Sequence, residues 1–394
     1  MLKRINQCDI YIGLWCIYML QEVLYSPGII NQVIQLVMLL WSLIALFRYI
    51  FNSTNYLYSP VLKATFLLIV MYTLYGTFHI MYDEPIKGQY TYYYLQSALN
   101  SLAPIYLFYE FTMNGKLTSD RIRLYLPILL VVCILLYYKT ENQISLQKET
   151  EEITNNGGYF FVPLIPFLYF YSKKPILQFT FLGVILLYVF MGMKRGAILI
   201  GVVGAIVFLY ANLKESSGKG KFLFLILTMS IIVGVGLYMN YMLSNSVYFM
   251  ARFEETLEGN SSGRDAIYGS LWNTLLLESK PLYFYLGRGA DSTITVIGKV
   301  AHQDWLETFC NNGLVGVLIL YFFFYIFGKS AWKSRLYFSG MMFYSFITLF
   351  IIVFSKTLFS MSIQNLELFS TMLIGYFAFE LYNLEQYNNN ETDD

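Results

Sequence analysis

One polar stretch, from Met242 to Gly316, carries most of the side chains in this chain that could do chemistry. Arginines, glycine-bounded turns and a histidine with acids close behind it occur in the following order: Arg252, Gly263-Arg264, Trp272, Gly287-Arg288-Gly289 and His302-Gln303-Asp304-Trp305-Leu306-Glu307. A guanidinium group can hold phosphate oxygens through two parallel hydrogen bonds, and a histidine exchanges protons near neutral pH. The stretch therefore predicts a site that binds a phosphorylated substrate and moves a proton.

Acids outnumber bases in this stretch, so it is not a general basic patch. Between Met242 and Asp304 the bases are Arg252, Arg264, Lys280, Arg288 and Lys299, and the acids are Glu254, Glu255, Glu258, Asp265, Glu278, Asp291 and Asp304. Anion binding would then depend on particular arginines. Arg264 precedes a predicted helix from Asp265 to Leu277, whose positive end would add to its charge. A surface ion pair with a nearby acid is the alternative for Arg264.

His302 is the candidate for proton transfer. It is one of two histidines, and Asp304 and Glu307 follow it closely. Beside a phosphate held by arginine it could take the proton of an acceptor hydroxyl. The alternative is a histidine that caps a helix or packs in an interface, and for the other histidine, His79, we expect such packing within an apolar segment.

The composition predicts an integral membrane protein. Of the 394 residues 57% are hydrophobic and 13% are charged, whereas about 25% of a soluble domain is charged. The net charge of +1 predicts no nucleic-acid partner. The polar stretch contains no Asp-x-Asp motif or His/Cys cluster suited to a metal, so we expect neither a metal nor another cofactor. The four cysteines are scattered without metal or disulfide spacing and are predicted to pack: Cys8, Cys16, Cys133 and Cys310.

Apolar runs predict an all-α, polytopic fold with about twelve transmembrane helices of roughly 20 residues each. A single membrane domain would cover residues 1–394, and residues 244–312 would form one long extracytoplasmic loop between the ninth and tenth helices. Pro163 and Pro166 are expected to kink the sixth helix, because proline removes backbone donors. The predicted helices cover about residues 9–25, 29–51, 61–82, 91–113, 122–138, 157–171, 175–193, 196–213, 222–243, 314–327, 336–355 and 366–384.

The distribution of basic residues predicts that both termini are cytoplasmic. With the amino terminus inside, the acidic segment 139–156 and the long polar stretch lie outside. The loops predicted inside carry Lys63, Lys116, Arg121, Arg123, Lys173, Lys174, Lys214, Lys219, Lys221, Lys329, Lys333 and Arg335.

One basic pair, Lys194-Arg195, departs from this pattern, because it falls at the outer end between the seventh and eighth predicted helices. A charge within the bilayer costs about 2.5–3.5 kcal/mol on insertion scales. A costly pair suggests function, and we interpret it as an anion site shared with the outer stretch. The alternatives are snorkelling to outer headgroups or a miscounted span that places the pair inside.

The order of these motifs resembles the O-antigen ligase and Wzy-type polymerase superfamily. Across about residues 191–327 the chain presents Lys194-Arg195-Gly196-Ala197, then Gly263-Arg264 and Trp272, Gly287-x-Gly289, His302-x-Asp304-Trp305-Leu306-Glu307 and Asn312-Gly313-Leu314-x-Gly316. The first half matches the superfamily only in hydropathy. The resemblance implies that Arg195 and Arg264 bind the pyrophosphate of a polyprenyl-linked glycan and that His302 assists the chemistry. Further substrate-binding candidates are Lys194, Arg252, Arg288, Trp272, Asp304 and Trp305.

The activity that the resemblance implies is a metal-independent glycosyl transfer at the outer face of the bacterial cytoplasmic membrane. We favour polymerisation of undecaprenyl-pyrophosphate-linked repeat units into O-antigen, capsule or exopolysaccharide, because such polymerases are variable and rich in Tyr and Phe. The first alternative is a ligase that moves a finished glycan to lipid A core or another acceptor. The second is a non-enzymatic lipid-glycan transporter. The partners implied are the glycan carrier, the membrane lipid, a chain-length regulator and a flippase.

Overall fold

The computed structural model describes residues 5–24, 28–51, 59–78, 88–146, 157–192, 194–216, 218–245, 250, 254, 264–274, 281–363 and 366–392. All regular elements in these residues are helical, and none is a strand. In chain order they are α1 (Gln7–Leu24), α2 (Ile29–Phe51), α3 (Pro60–Phe78), α4 (Gly88–Leu102), α5 (Pro104–Met113), α6 (Ser119–Leu146), α7 (Gly158–Phe161), a 3-10 helix (Val162–Tyr171), α8 (Pro175–Met191), α9 (Arg195–Glu215), α10 (Gly218–Asn245), α11 (Arg264–Trp272), α12 (Pro281–Leu286), α13 (Ser292–Ile297), α14 (Asp304–Lys333), a second 3-10 helix (Ser334–Leu336), α15 (Gly340–Phe359) and α16 (Leu368–Thr392).

The predicted helical class is confirmed, and each predicted apolar segment coincides with helix in the described residues. Two shorter apolar helices, Gly158–Tyr171 and Pro175–Met191, accompany the long ones. Such a set of helices is that of a multi-pass membrane protein, and the number of about twelve crossings stays a prediction. The described helices long and apolar enough to cross a membrane are seven: Ile29–Phe51, Pro60–Thr77, Ser119–Thr140, Arg195–Glu215, Gly220–Asn245, Asp304–Leu336 and Gly340–Phe359.

The centre of the protein is the 3-10 helix Val162–Tyr171, in which every residue is buried. The sequence predicted a kinked α-helix here. Each of the two prolines lacks the N–H that an α-helical hydrogen bond needs, and the segment is wound as a 3-10 helix. Helix α15 is bonded to this segment, since Ser345 Oγ donates to the Pro166 carbonyl at 2.7 Å and the hydroxyls of Thr348 and Tyr169 share a hydrogen bond of 2.7 Å. The segment thereby fixes α15 at the core.

Helix α14 differs from its prediction, because it begins at Asp304 and not near Leu314. Gly313, with φ 63° and ψ −161°, interrupts it and divides it into two limbs. The Asn-Gly dipeptide is a turn signal in sequence, but here the chain resumes its helix after one residue. The predicted loop 244–312 accordingly includes the first limb of α14 and the short helices α11, α12 and α13.

The interruption at Gly313 is matched by the Gly287-Arg288-Gly289 turn. A kink frees carbonyls at the end of the first helical limb, and two of them are bonded by this turn: Arg288 N donates to Cys310 O at 2.9 Å and Gly289 N to Asn311 O at 3.0 Å. Gly287 has φ 71°, and a Cβ on it would overlap the backbone of Asn311. A Cβ on Gly313 would overlap the backbone nitrogen of Gly287. The two backbones therefore touch where only glycine fits.

Gly313→Ala is expected to destabilise the protein more than Gly298→Ala, although φ is positive at both, 63° and 72°. A Cβ on Gly298 meets nothing within 4 Å, so that variant carries only left-handed strain of about 1–2 kcal/mol. Gly313→Ala adds an overlap with backbone, at about 1–3 kcal/mol more. The measurement is the temperature at which half the detergent-solubilised protein stays monodisperse. Equal midpoints for the two variants would contradict the backbone contact.

Candidate active site

The basic pair predicted to bind an anion lies where α9 begins. Arg195 is the first residue of the helix and Lys194 occupies its N-cap position, with no side-chain cap and no acid in the first turn. Both side chains are half-buried. The amino end of a helix carries partial positive charge and favours anions. The two cations and the helix end therefore both favour the binding of an anion here.

The start of α9 is packed between two other elements. At Gly196 an added Cβ would overlap the hydroxyl of Tyr159 in α7, and it would lie 2.8 Å from Cβ of Phe359 at the end of α15. Any larger residue would push these neighbours apart. The glycine after Lys194-Arg195 thus fixes the position of the basic pair relative to α7 and α15.

Arg264 is brought to the same region by helix α11, of which it is the first residue. Its charge acts on the hydroxyl of Tyr159, the residue that contacts the start of α9. Helix α11 is held by its apolar face, which forms a small separate core with α13, Ala301 and the start of α14. That core consists of Ile267, Leu271, Val296, Ile297, Ala301, Leu306 and Cys310.

His302 lies just before α14, and the charges that act on its imidazole identify its neighbours. Partial loss of hydration lowers the pKa of the imidazole below its ordinary value of 6.5, and the positive charges of Arg264, Lys194 and Lys299 lower this pKa further. His302 is exposed, and its φ of 55° is unusual for a residue with a side chain. The structure thus brings together the three predicted segments that contain Lys194-Arg195, Arg264 and His302.

Glu307 holds the backbone that leads into His302. Its carboxylate accepts the N–H of Ala301 at 2.8 Å, the hydroxyl of Thr293 at 2.6 Å and the amide of Asn311 at 3.2 Å. The sequence indicated only an acid near a histidine. Glu307 is buried and accepts these three hydrogen bonds. It therefore fixes the backbone next to His302, the residue with positive φ.

Asp304 and Trp305, both predicted to bind substrate, are engaged with the protein. Asp304 is buried and accepts the N–H groups of Ser362 at 2.8 Å and Ile363 at 3.1 Å. Trp305 donates its indole N–H to Thr357 Oγ1 at 3.0 Å. These contacts join the start of α14 to the end of α15. Both residues therefore stabilise the backbone that follows His302.

The remaining candidates that the structure describes are Arg288 and Trp272. Arg288 lies with its guanidinium carbon 5.1 Å from the centre of the Tyr283 ring and donates to Thr274 O at 3.3 Å, which ties α11 to the Gly287-Arg288-Gly289 turn. Trp272, at the end of α11, is 60% exposed. Arg252 lies outside the described residues, as does His79.

Two buried charges near the site were missed by the sequence-based prediction. Lys356 in α15 forms a buried ion pair with Glu367, and its Nζ lies 5.6 Å from the centre of the Tyr159 ring. The signal was a lysine at the end of an apolar run. Asp291 is also buried, with φ 54°, and burial together with the charge of Glu307 raises its pKa to about 7. It had been counted only among the acids of the stretch.

Metal binding has no candidate in the part of the chain that the structure describes, where no group of three or more His, Cys, Asp or Glu could hold an ion. Metal independence stays a prediction. No known protein family matches the sequence, and no curated protein is significantly similar to it. The likeness to the O-antigen ligase and Wzy-type polymerase superfamily therefore depends on the motifs.

Arg264→Gln is expected to raise the pKa of His302, because it removes a positive charge that disfavours the protonated imidazole. The measurement is an NMR titration of histidine-labelled protein in detergent. A His79→Gln background leaves a single imidazole signal, since the chain has two histidines. Arg288→Gln is the control and should leave the titration unchanged. An unaltered pKa in Arg264→Gln would mean that Arg264 does not face His302.

Proposed function

We propose that this protein polymerises polyprenyl-pyrophosphate-linked oligosaccharide repeat units into O-antigen, capsule or exopolysaccharide, at the outer face of the bacterial cytoplasmic membrane. The observation that carries the proposal is the meeting of Lys194-Arg195, Arg264 and His302. They come from three segments separated by about 70 and about 40 residues of chain. Cations for a pyrophosphate and a base for a hydroxyl are the groups that this transfer needs.

The reaction forms one bond and breaks one. The oxygen of an acceptor hydroxyl bonds to the anomeric carbon of the donor sugar, while the bond from that carbon to the pyrophosphate oxygen breaks. The pyrophosphate leaves with the electron pair, and the hydroxyl proton passes to the neutral imidazole of His302. Negative charge grows on the leaving group, where Arg195 and Arg264 stabilise it.

The lowered pKa of His302 suits a base in this step. Because the folded pKa lies below 6.5, the imidazole is mostly neutral at pH 7 and has a free nitrogen to accept a proton. A lower pKa also makes the protonated ring a stronger acid, which aids release of the proton after transfer. The neighbouring cations thus keep the base available while they bind the anion.

The position of the basic pair fits a donor that is anchored in lipid. Arg195 begins an apolar helix, Arg195–Glu215, that is long enough to cross a membrane. The end of such a helix lies at the level of lipid headgroups. The pyrophosphate of a polyprenyl carrier lies at the same level when its hydrocarbon tail is in the bilayer. A transporter would need the cations but not a base beside them, which favours the enzyme.

Purified protein in detergent with a chelator should convert the polyprenyl-pyrophosphate repeat unit into a ladder of longer glycans. Arg195→Ala, Arg264→Ala and His302→Ala should each lower the initial rate about 100-fold or more. The control is Arg335→Ala, in the second 3-10 helix just after α14, where the guanidinium carbon lies 4.6 Å from the centre of the Trp332 ring. A single transfer, seen only when a separate acceptor is added, would instead identify a ligase. No new glycosidic bond with any acceptor, together with movement of substrate across vesicles, would identify a transporter.

The rate should also fall on acidification. Below the pKa of His302 the fraction of neutral imidazole drops about tenfold for each pH unit, and kcat/KM should follow with a midpoint below 6.5. Arg264→Lys, which keeps the charge, should retain a low midpoint, whereas Arg264→Gln should raise it in whatever activity remains. An acid limb that persists unchanged in His302→Gln would remove His302 as the base.

A further inference from the structure

The amino terminus of α9 lacks what helices of soluble and membrane proteins usually have there. Ser, Thr, Asp or Asn at the N-cap normally bonds the first backbone N–H groups, but α9 has Lys194 at this position and no side-chain cap. The first intrahelical bond described runs from Ile198 N to Lys194 O at 3.0 Å. The N–H groups of Gly196 and Ala197 come before it, at the positive end of the helix.

Tyr159 brings a second, independent donor to this end. The side chain is 7% exposed, and among the described residues its hydroxyl has no hydrogen-bond partner. The oxygen lies against Gly196, where an added Cβ would overlap it. Buried hydroxyls are nearly always paired. An unpaired one at an uncapped helix terminus indicates that a ligand supplies the acceptor.

The charges around Tyr159 indicate which kind of ligand. The charge of Arg264 acts on the hydroxyl, and Lys356 Nζ lies 5.6 Å from the ring centre. Lys194 and Arg195 flank the same helix start. Lys356 is already paired with Glu367, so the preference for an anion comes from the other three cations. An oxyanion offers oxygens to the hydroxyl and negative charge near Lys194, Arg195 and Arg264.

We infer that the amino terminus of α9 and the Tyr159 hydroxyl form a seat for a phosphate or pyrophosphate group. The N–H groups of Gly196 and Ala197 and the O–H of Tyr159 donate to phosphate oxygens, and Arg195 and Arg264 supply the balancing charge. The assignment of this group to an isoprenyl carrier depends on the proposed function. The hydroxyl is buried, so a phosphate reaches it only when the side chains beside it shift.

Gly196 has a defined part in this seat. A side chain at this position would occupy the space in which Tyr159 approaches the helix backbone. Glycine therefore lets one phosphate reach the backbone N–H groups and the phenol together. Tyr159 is a binding residue for the leaving group and takes no part in proton transfer, which belongs to His302.

The test is calorimetric binding to the full chain in detergent, with farnesyl pyrophosphate, inorganic pyrophosphate and farnesol as probes. Tyr159→Phe should weaken the binding of both pyrophosphates about tenfold or more and leave the unfolding midpoint unchanged, because the hydroxyl has no described partner to lose. The matched control is Tyr169→Phe, which loses the bond to Thr348. It should lower the midpoint and leave the affinities unchanged.

The three probes separate the sources of the anion. Tighter binding of farnesyl pyrophosphate than of inorganic pyrophosphate supports a carrier headgroup in the seat, and equal binding supports a free anion in it. Unchanged pyrophosphate affinity in Tyr159→Phe, or farnesol bound as tightly as its pyrophosphate, overturns the seat. Weakened pyrophosphate binding in Tyr159→Phe, in a protein that forms no glycosidic bond, would retain the seat and remove the transferase. Glycan transfer by the protein, with an unchanged Kd and KM in Tyr159→Phe, would retain the transferase and remove the seat.

Discussion

Backbone polar groups buried in an apolar bundle have to be paired within the protein, because no water is at hand to pair them. The irregular points of this fold follow from that constraint. At the 3-10 helix, Ser345 of α15 donates its hydroxyl to the buried carbonyl of Pro166. At the kink of α14, the Gly287-Arg288-Gly289 turn supplies two N–H groups to the carbonyls of Cys310 and Asn311. The second arrangement requires backbones in contact, and hence glycine on both sides.

This pairing places the site as well as stabilising the fold. Asn311 and Asn312 at the kink continue the network, since Asn311 Oδ1 accepts both the N–H and the hydroxyl of Ser292 at 2.9 Å, and Asn312 Oδ1 accepts the Tyr94 hydroxyl at 3.0 Å. The same limb of α14 carries Glu307, which fixes the residue before His302. The left-handed conformation at His302 is maintained by this bond to the backbone beside it. Arg264, one of the cations that lower its pKa, is placed by the small apolar core that anchors α11.

The sequence allowed the helical class and the membrane character to be predicted, because apolar runs and helix ends are local signals. It also singled out Lys194-Arg195, Arg264 and His302, which the structure brings to one region. It did not distinguish acids that support from acids that react. Asp304 and Glu307 stand beside a histidine in sequence, and only their backbone partners at Ser362 and Ala301 mark them as supports. The early start of α14 was missed for a similar reason, since Asn312-Gly313 stops a helix unless a distant turn pairs the freed carbonyls.

The motif residues divide by what they touch, and this division bears on how one scaffold could serve different acceptors. Gly287, Gly289, Asn312 and Gly313 are occupied with backbone pairing and close packing. Under the proposed function, Lys194-Arg195 and Arg264 supply the charge that a departing pyrophosphate needs. A polymerase and a ligase share that leaving group and differ in the hydroxyl that attacks. Residues that pair the backbone or bind the leaving group therefore do not determine which acceptor is used. Under the proposed function, acceptor choice falls to side chains that approach His302 from outside the motifs, where substitution leaves both the kink and the basic cluster intact.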